Sequence, residues 1–235
     1  MRVKTVFTFI LSLFVFSLVA QLDTSFFSRA VYKPACNWNY GAGARFSFLD
    51  FEKLNRALDA ASLPGLESPV PCIALAARTS FNWKRWLVET SLEFTSGASE
   101  QNSTENRQSV AFRDYALRSR ILYDLLHQKR LTKIFPYAGL GVSYQTLRTS
   151  GSGDLGQEAS PRQFSQVPLI CEIGLSLERG IAIRKKDLFV GIRAGYAFRF
   201  LENQWVFDEH TAVKLPNPAA ASPFVAMLLR LKTRR

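Results

Sequence analysis

The stretch Leu188-Phe-Val-Gly-Ile-Arg-Ala-Gly-Tyr-Ala-Phe-Arg-Phe200 decides the fold of this chain, because large apolar residues occupy every second position. In an extended strand successive side chains point to opposite faces, so Val190, Ile192 and Tyr196 share one face. Arg193 and Arg199 fall on the other face, together with glycine and alanine. A helix would instead scatter the arginines around its circumference. The pattern therefore predicts a β-strand with one apolar face and one face of small and basic residues.

The same alternation recurs along the chain at intervals that indicate a sheet of eight strands. The alternating segments are residues 40–48, 73–82, 86–94, 114–124, 137–146, 169–178, 188–200 and 225–232. Segments of about ten residues match the length that a tilted strand needs to cross a bilayer. An even number of such segments is typical of bacterial membrane barrels.

The connections between these segments alternate between long and short. The long connections are residues 50–70, 97–109, 148–164 and 201–221, and the short ones are residues 83–86, 126–133 and 184–187. Acidic residues concentrate in the long connections and basic residues in the short turns. Short periplasmic turns opposite long external loops are typical of an up-and-down membrane barrel and not of a soluble sandwich. We predict an all-β fold: an eight-stranded antiparallel up-and-down transmembrane β-barrel over residues 39–235, with a short helix in its first external loop.

The start of the chain predicts export. Arg2 and Lys4 precede an uncharged apolar run from Val6 to Val19 that ends at Ala20, which is the layout of a cleavable signal peptide. We assign residues 1–20 to the signal peptide and residues 21–38 to an N-terminal periplasmic segment. No later run of about 18 apolar residues occurs, which excludes a helical membrane protein. The predicted location is the outer membrane.

The polar face of the predicted strands carries charges of both signs, which predicts an interior filled by ion pairs. An eight-stranded barrel leaves a lumen just wide enough for side chains. The alternative for this set is a narrow pathway for ions or a small solute. The predicted lumen charges are Arg45, Arg78, Glu89, Glu93, Asp114, Arg118, Arg120, Asp124, Glu172, Glu178, Arg193 and Arg199.

Two long connections contain apolar residues and are therefore candidates for recognition. In the first, Phe51, Leu54 and Leu58 have helical spacing and Pro64-Gly65 ends the pattern. In the fourth, Trp205 and Phe207 stand beside acidic residues. The apolar side of the helix either packs as a cap on the barrel mouth or forms an external recognition surface. The second long connection is polar and predicts a mobile loop.

Evidence for catalysis in the sequence is thin, and we predict no enzyme activity, cofactor or metal. The two histidines, His127 and His210, belong to connections at opposite ends of the predicted barrel. No serine-hydrolase elbow, zinc motif or phosphate loop is present. The open alternative is an outer-membrane lipid-modifying enzyme that pairs His210 with Ser222. The net charge of +11 lies largely at one rim, so nucleic acid is not an expected partner.

The segments Phe135-Pro-Tyr-Ala-Gly-Leu-Gly-Val-Ser-Tyr144 and Leu188–Tyr196 resemble the eight-stranded outer-membrane barrels of the OmpA/OmpX type, as in the barrel-domain proteins of Bacteroidetes. The resemblance implies a monomer in contact with outer-membrane lipid and lipopolysaccharide. It also implies the barrel-assembly machinery and periplasmic chaperones as partners during biogenesis. Barrels of this type commonly end on an aromatic residue, whereas this sequence ends Leu231-Lys-Thr-Arg-Arg235.

Overall fold

A computed structural model describes residues 39–80, 85–102, 107–126, 132–152, 158–183, 186–200, 205–207, 211–213, 215–216, 218 and 221–233. The predicted signal peptide and the segment 21–38 lie outside this range. No helix in the described part is long and apolar enough to cross a membrane. The single described helix, α1, spans Glu52–Ala60. The strands are β1 (Asn39–Ser47), β2 (Val70–Ser80), β3 (Trp86–Asn102), β4 (Arg107–Tyr123), β5 (Thr132–Ser152), β6 (Glu158–Gln166), β7 (Leu169–Ile183), β8 (Lys186–Phe200), β9 (Trp205–Phe207), β10 (Thr211–Val213) and β11 (Ala221–Thr233).

Eight of these strands form a closed antiparallel barrel, which confirms the predicted fold class. Their order is β5-β4-β3-β2-β1-β11-β8-β7, and β7 pairs back onto β5. The closing pair runs from Thr132 opposite Arg179 to Val142 opposite Leu169. The first half of β5 therefore pairs with β7, and its second half pairs with β6. A break at Val167-Pro168 separates β6 from β7 in what is otherwise one strand direction.

The barrel has two unlike ends. We call the end that carries residues 48–69, 103–106, 153–157 and 201–220 the loop end. The turn end carries the connections 81–85, 124–131 and 184–185, together with the start of β1 and the end of β11. The two longest connections, 48–69 and 201–220, lie at the loop end as the sequence predicts, but 103–106 and 153–157 at the same end are as short as the turns, because the flanking strands extend into the predicted loops.

Three of the predicted loops contain strand pairs, and the third of them, residues 148–164, is largely the pairing of β5 with β6. The second long connection was expected to be a mobile loop from residue 97, but β3 and β4 stay in register as far as Asn102 opposite Arg107. The extended part of β4 also contacts β5, since the hydroxyls of Ser109 and Ser150 lie 2.7 Å apart. In the fourth long connection, residues 205–207 form β9, which pairs with β6 and β10. The sheet thus projects beyond the closed barrel on one side.

The outer surface of the barrel is apolar in a continuous belt. Leu140 is 70% exposed, Ile73 65%, Ile192 54% and Leu229 50%. A water-soluble protein rarely exposes so large an apolar patch, whereas a barrel in lipid requires one. The faces assigned from the sequence are therefore correct, with the alternating apolar positions directed outward.

Aromatic pairs mark the two edges of this belt. Trp86 and Tyr123 contact one another near the turn end, with ring centroids 4.9 Å apart. Phe94 and Tyr115 form the matching pair toward the loop end, at 5.0 Å. Each strand separates its two aromatic residues by about eight positions, roughly 26 Å along the strand and about 20 Å along the barrel axis after tilt. The distance between the two aromatic pairs, and their position at the edges of the belt, suit the hydrocarbon layer of a membrane.

Leu140 lies midway across this belt. Tyr144, four residues further along β5, lies opposite Tyr115 of the aromatic pair toward the loop end, and four residues are half of the eight that separate the two pairs. Replacing Leu140 with arginine should lower the free energy of unfolding by about 2–4 kcal/mol, because a charge at mid-bilayer must be desolvated. Thr146→Arg is the control, because it lies on the same face of β5 beyond that aromatic pair and should cost about 1 kcal/mol or less. Urea unfolding in lipid vesicles measures both values. Equal losses at the two positions would contradict the placement of the belt.

Candidate functional site

The interior of the barrel is built from glycines that face long charged side chains. A Cβ placed on Gly139 would lie 2.9 Å from Cγ of Arg120, and one on Gly141 would lie 2.9 Å from Cγ of Arg118. Real Cβ atoms do not approach so closely, so these positions admit only glycine without displacing the arginines. The glycines of the alternating pattern therefore provide the space into which the charged side chains extend.

Glu89 is the centre of one group of ion pairs. Its carboxylate accepts from Nη1 of Arg193 at 2.7 Å and from Nη2 of Arg78 at 2.9 Å. Arg230 lies 3.2 Å away and Arg120 3.3 Å away. Four arginines from β2, β4, β8 and β11 thus converge on one fully buried carboxylate of β3. This carboxylate ties together strands that lie on different sides of the barrel.

A second group forms around Glu93 and Glu172. Arg118 donates to Glu172 at 2.7 Å, and Arg45 lies 3.1 Å from Glu93 and 3.2 Å from Glu172. Arg120 contacts both carboxylates and also pairs with Glu89. The guanidinium of Arg120 therefore joins the two groups into one network.

Glu178 and aromatic rings complete the network toward the turn end and the wall. Glu178 accepts from Arg230 at 2.8 Å and from Arg78 at 2.9 Å. Three guanidinium groups also lie over rings, an arrangement in which the ring quadrupole attracts the cation. These pairs are Arg45 over Phe224 at 3.6 Å, Arg78 over Phe135 at 4.7 Å and Arg193 over Tyr137 at 4.9 Å.

The structure places most of the predicted lumen residues in this network. The buried and ion-paired members are Arg45, Arg78, Glu89, Glu93, Arg118, Arg120, Glu172, Glu178 and Arg193. The other predicted members lie nearer the ends. Arg199 is near the loop end, where its Nη1 is 3.4 Å from the Ser222 hydroxyl. Asp114 accepts from the Gln145 amide at 3.2 Å, and Asp124 pairs with Lys133 at 2.9 Å at the turn end.

Arg230 is a member of the network that the sequence analysis did not include. Its side chain is buried and shared between Glu89 and Glu178. The alternation of the last strand could have predicted this position, because Arg230 follows the outward-facing Leu229 and therefore faces the lumen. The stem of Arg230 crosses Gly41 of β1 so closely that a Cβ there would collide with its Cγ. Its burial depends on this neighbouring glycine as well as on its own position.

A separate apolar cluster closes the loop end. Helix α1 turns Leu54 and Leu58 inward, where both are buried. Phe51 packs edge-on against Phe112 with ring centroids 5.5 Å apart. The whole cluster comprises Leu49, Phe51, Leu54, Leu58, Leu66, Val70, Val110, Phe112, Leu147 and Trp205. We call it the loop-end cap.

This packing places the five candidate recognition residues in or against the cap, the first of the two alternatives that the sequence leaves open. Phe51, Leu54, Leu58 and Trp205 are buried in the cap, and Phe207 is half-buried against Phe164 at a ring distance of 5.3 Å. These five side chains are therefore not an apolar patch offered to a partner in this structure. The reason is that α1 lies across the barrel mouth, where the inward residues of β4 and β5 present an apolar surface to it.

Polar contacts fix the position of the cap. The Asn55 side chain donates to the Leu66 carbonyl at 2.9 Å, and its Oδ1 accepts from the Leu66 amide at 2.8 Å. Asp50 accepts from the Glu52 amide at 2.8 Å at the start of α1. The solvent side of the helix carries charged residues, among them the exposed pair of Glu52 and Arg56. The cap therefore has an apolar underside and a charged upper side.

The residues weighed for catalysis are not assembled into a described site. His127 and His210 lie outside the described residues. Ser222 is buried on the inner face of β11, where its hydroxyl lies near Arg199.

No protein-family model matches the chain, and no curated protein matches it significantly. Several solved structures are similar to it, among them the following three. Ail, the attachment invasion locus protein of Yersinia pestis in complex with the heparin analogue sucrose octasulfate, has 15% identity and a TM-score of 0.47, covering 84% of this chain and 97% of Ail. Neisserial surface protein A has 12% identity and a TM-score of 0.41, with coverages of 84% and 97%. A major outer membrane protein from Thermus thermophilus has 10% identity and a TM-score of 0.45, with coverages of 83% and 98%.

The closed topology, the apolar belt and the polar interior together are the architecture of an eight-stranded transmembrane β-barrel.

Replacing Glu89 with glutamine tests the network. The change removes the carboxylate on which four buried arginines converge and leaves Arg193 without an ion pair among the described residues, and removing one partner of a buried pair costs about 3–5 kcal/mol. Glu52→Gln is the matched control, because it makes the same change at the exposed pair with Arg56 and should cost about 0.5 kcal/mol or less. Urea unfolding of both variants in detergent micelles gives the two values. Similar losses would show that Glu89 does not stabilise the barrel through its ion pairs.

Proposed function

We propose that this outer-membrane barrel is a closed scaffold with a structural or surface-recognition role at its loop end, and not a general porin. The observation that supports the proposal is that the interior is blocked at two levels. The Arg–Glu network fills the middle of the barrel, and the loop-end cap covers its mouth.

The two blocks resist a solute by different physical means. Passage through the middle would require breaking several buried ion pairs, which leaves charges without partners in a region of low dielectric. Passage at the loop end would require lifting α1 and exposing its leucines to water. These costs add, because the two blocks share no side chains. A narrow pathway for ions or a small solute, the second role considered from the sequence, would have to overcome both.

The proposed orientation places the loop end outside the cell and the turn end in the periplasm. Its support is the alternation of short turns with long connections, which in bacterial outer-membrane barrels correspond to periplasm and exterior. The proposal includes cleavage of the signal peptide after Ala20 during export. Folding would then require periplasmic chaperones and the barrel-assembly machinery, and the finished barrel would contact outer-membrane lipid and lipopolysaccharide.

The surface available for recognition is polar. The exposed residues of α1 include Lys53, Arg56 and Asp59, and the extended β3–β4 hairpin exposes Glu100 and Gln101. Loops held by a rigid scaffold are common positions for binding residues. A partner that binds here would therefore be recognised through charge and hydrogen bonding, since the apolar side chains are packed underneath. We propose no enzymatic activity for this surface.

Conductance measurements test the closed interior. The purified protein in planar lipid bilayers should give no large, stable conductance steps, because both blocks remain in place. A variant in which residues 50–68 are replaced by a short glycine–serine linker should also stay closed, since it keeps the Arg–Glu network. Large stable steps from the wild-type protein would rule out a closed scaffold. Steps from the linker variant alone would show that the cap is the only barrier.

Epitope labelling of intact cells tests the orientation. A short tag inserted between the exposed residues Ala61 and Ser62 should be detected by an antibody added to whole cells, because insertions at exposed loop tips are tolerated. The same tag between Arg184 and Lys185, in a short turn, should be detected only after the outer membrane is permeabilised. The reverse pattern would show that the loop end faces the periplasm.

A further inference from the structure

The central network contains more positive than negative charge. Six buried arginines, at positions 45, 78, 118, 120, 193 and 230, face four buried glutamates, at positions 89, 93, 172 and 178. The charges nearer the ends are Asp114 and Arg199 toward the loop end and the pair of Asp124 and Lys133 at the turn end, and adding them leaves the excess of two positive charges unchanged. Uncompensated charge inside a protein is costly. The central interior described by the structure therefore favours a bound anion.

Three of these arginines have N–H groups without a hydrogen-bond acceptor among the described residues, but Nε of Arg118 lies 3.1 Å from a Glu93 carboxylate oxygen, which leaves Arg193 and Arg230 with N–H groups that contact no carboxylate. Arg193 uses Nη1 to donate to Glu89, but its Nε and Nη2 have no partner. Arg230 uses Nη2 to donate to Glu178, but its Nη1 has no partner. Both side chains are more than nine-tenths buried. Buried donors of charged groups are nearly always hydrogen-bonded, to protein, to water or to an ion.

The same two arginines line a cavity of about 20 Å³, whose other charged lining residues are Arg45, Arg120, Glu89 and Glu93, so that four arginines and two carboxylates surround it. Small residues create this space, since Gly41, Gly43 and Ala226 form its wall on β1 and β11. A volume of about 10–15 Å³ is enough for one water molecule. A monatomic anion is only slightly larger than a water molecule and therefore fits this space. The cavity can hold such an ion beside the N–H groups of the two arginines.

We propose that the barrel interior binds one small monatomic anion, of halide size, between Arg193 and Arg230. The anion accepts from the free N–H groups of both arginines and offsets part of the excess positive charge. It is held inside the barrel wall and forms an integral part of the Arg–Glu network. The site is separate from the loop-end surface and holds a bound ion without conducting it.

Crystals of the wild-type protein grown with sodium bromide test the site directly. An anomalous scattering peak between Arg193 and Arg230 is the expected result. Thermal unfolding in detergent gives a second readout, because an anion that binds only the folded barrel raises the melting temperature with its concentration. At constant ionic strength, chloride at ten times its dissociation constant should raise the melting temperature over gluconate, which is too large for the cavity, by about 3–6 °C.

Variants at Ala226 distinguish the effect of a negative charge in the cavity from the effect of filling its volume. Ala226 lies directly across from Arg193 on β8 and from Arg45 on β1, so its side chain points between them. Ala226→Asp places a carboxylate in the same cavity, beside Arg193, and should melt at the same temperature in chloride and gluconate. In gluconate it should melt above the wild type. Ala226→Asn is the matched control, because it fills the space without charge and should melt below the wild type in both salts.

Three results would overturn the proposal. The first is a wild-type melting temperature that is equal in chloride and gluconate together with no bromide peak, which would assign the cavity to water. The second is an Ala226→Asp variant that keeps the chloride dependence of the wild type. The third is an Ala226→Asn variant that gains as much stability as Ala226→Asp, which would show that the cavity requires volume and not charge. If neither Ala226 variant folds, the bromide peak in the wild-type protein decides the question alone.

Discussion

The structure depends on the pairing of arginine with glutamate inside a closed barrel. The outer face must be apolar because lipid surrounds it, so the remaining polar residues of each strand are directed inward. Charges confined there are tolerated only when they are paired and hydrogen-bonded. Glu89 and Arg120 meet this requirement by each contacting several partners on different strands. The requirement also explains the interior glycines, because stems such as that of Arg118 need the space beside Gly141.

The Arg–Glu network and the loop-end cap, which both close the barrel, differ in chemistry because they lie in different surroundings. The middle is enclosed by strands that lie within the membrane belt, where only side chains from opposite walls can neutralise one another. The loop end lies beyond the aromatic pair of Phe94 and Tyr115, where water is available. An amphipathic helix suits that boundary, since Leu54 packs downward while Arg56 stays in solvent. The cap is therefore a small soluble core set on a membrane barrel.

The difference between the closed interior and the accessible loop end also bears on function. The interior holds the walls together and, through the excess of arginine, provides a site for a small anion. The surface that another molecule can reach is the charged upper side of the cap and the projecting β3–β4 hairpin. A rigid barrel keeps both in a fixed position relative to the membrane, which is the usual condition for recognition by loops.

The sequence by itself determined the faces and the strand count. A period of two assigns each residue to lipid or lumen, and alternating long and short connections imply an up-and-down barrel, so Leu140 and Arg193 could be placed correctly. Tertiary structure decided the partners, because the period does not state which residues of distant strands meet. Arg45 and Glu172 are 127 positions apart and pair only because β7 closes onto β5. The same holds for Phe51 and Trp205, which look like exposed anchors in the sequence. They are buried because α1 covers a mouth that exists only after the barrel has closed.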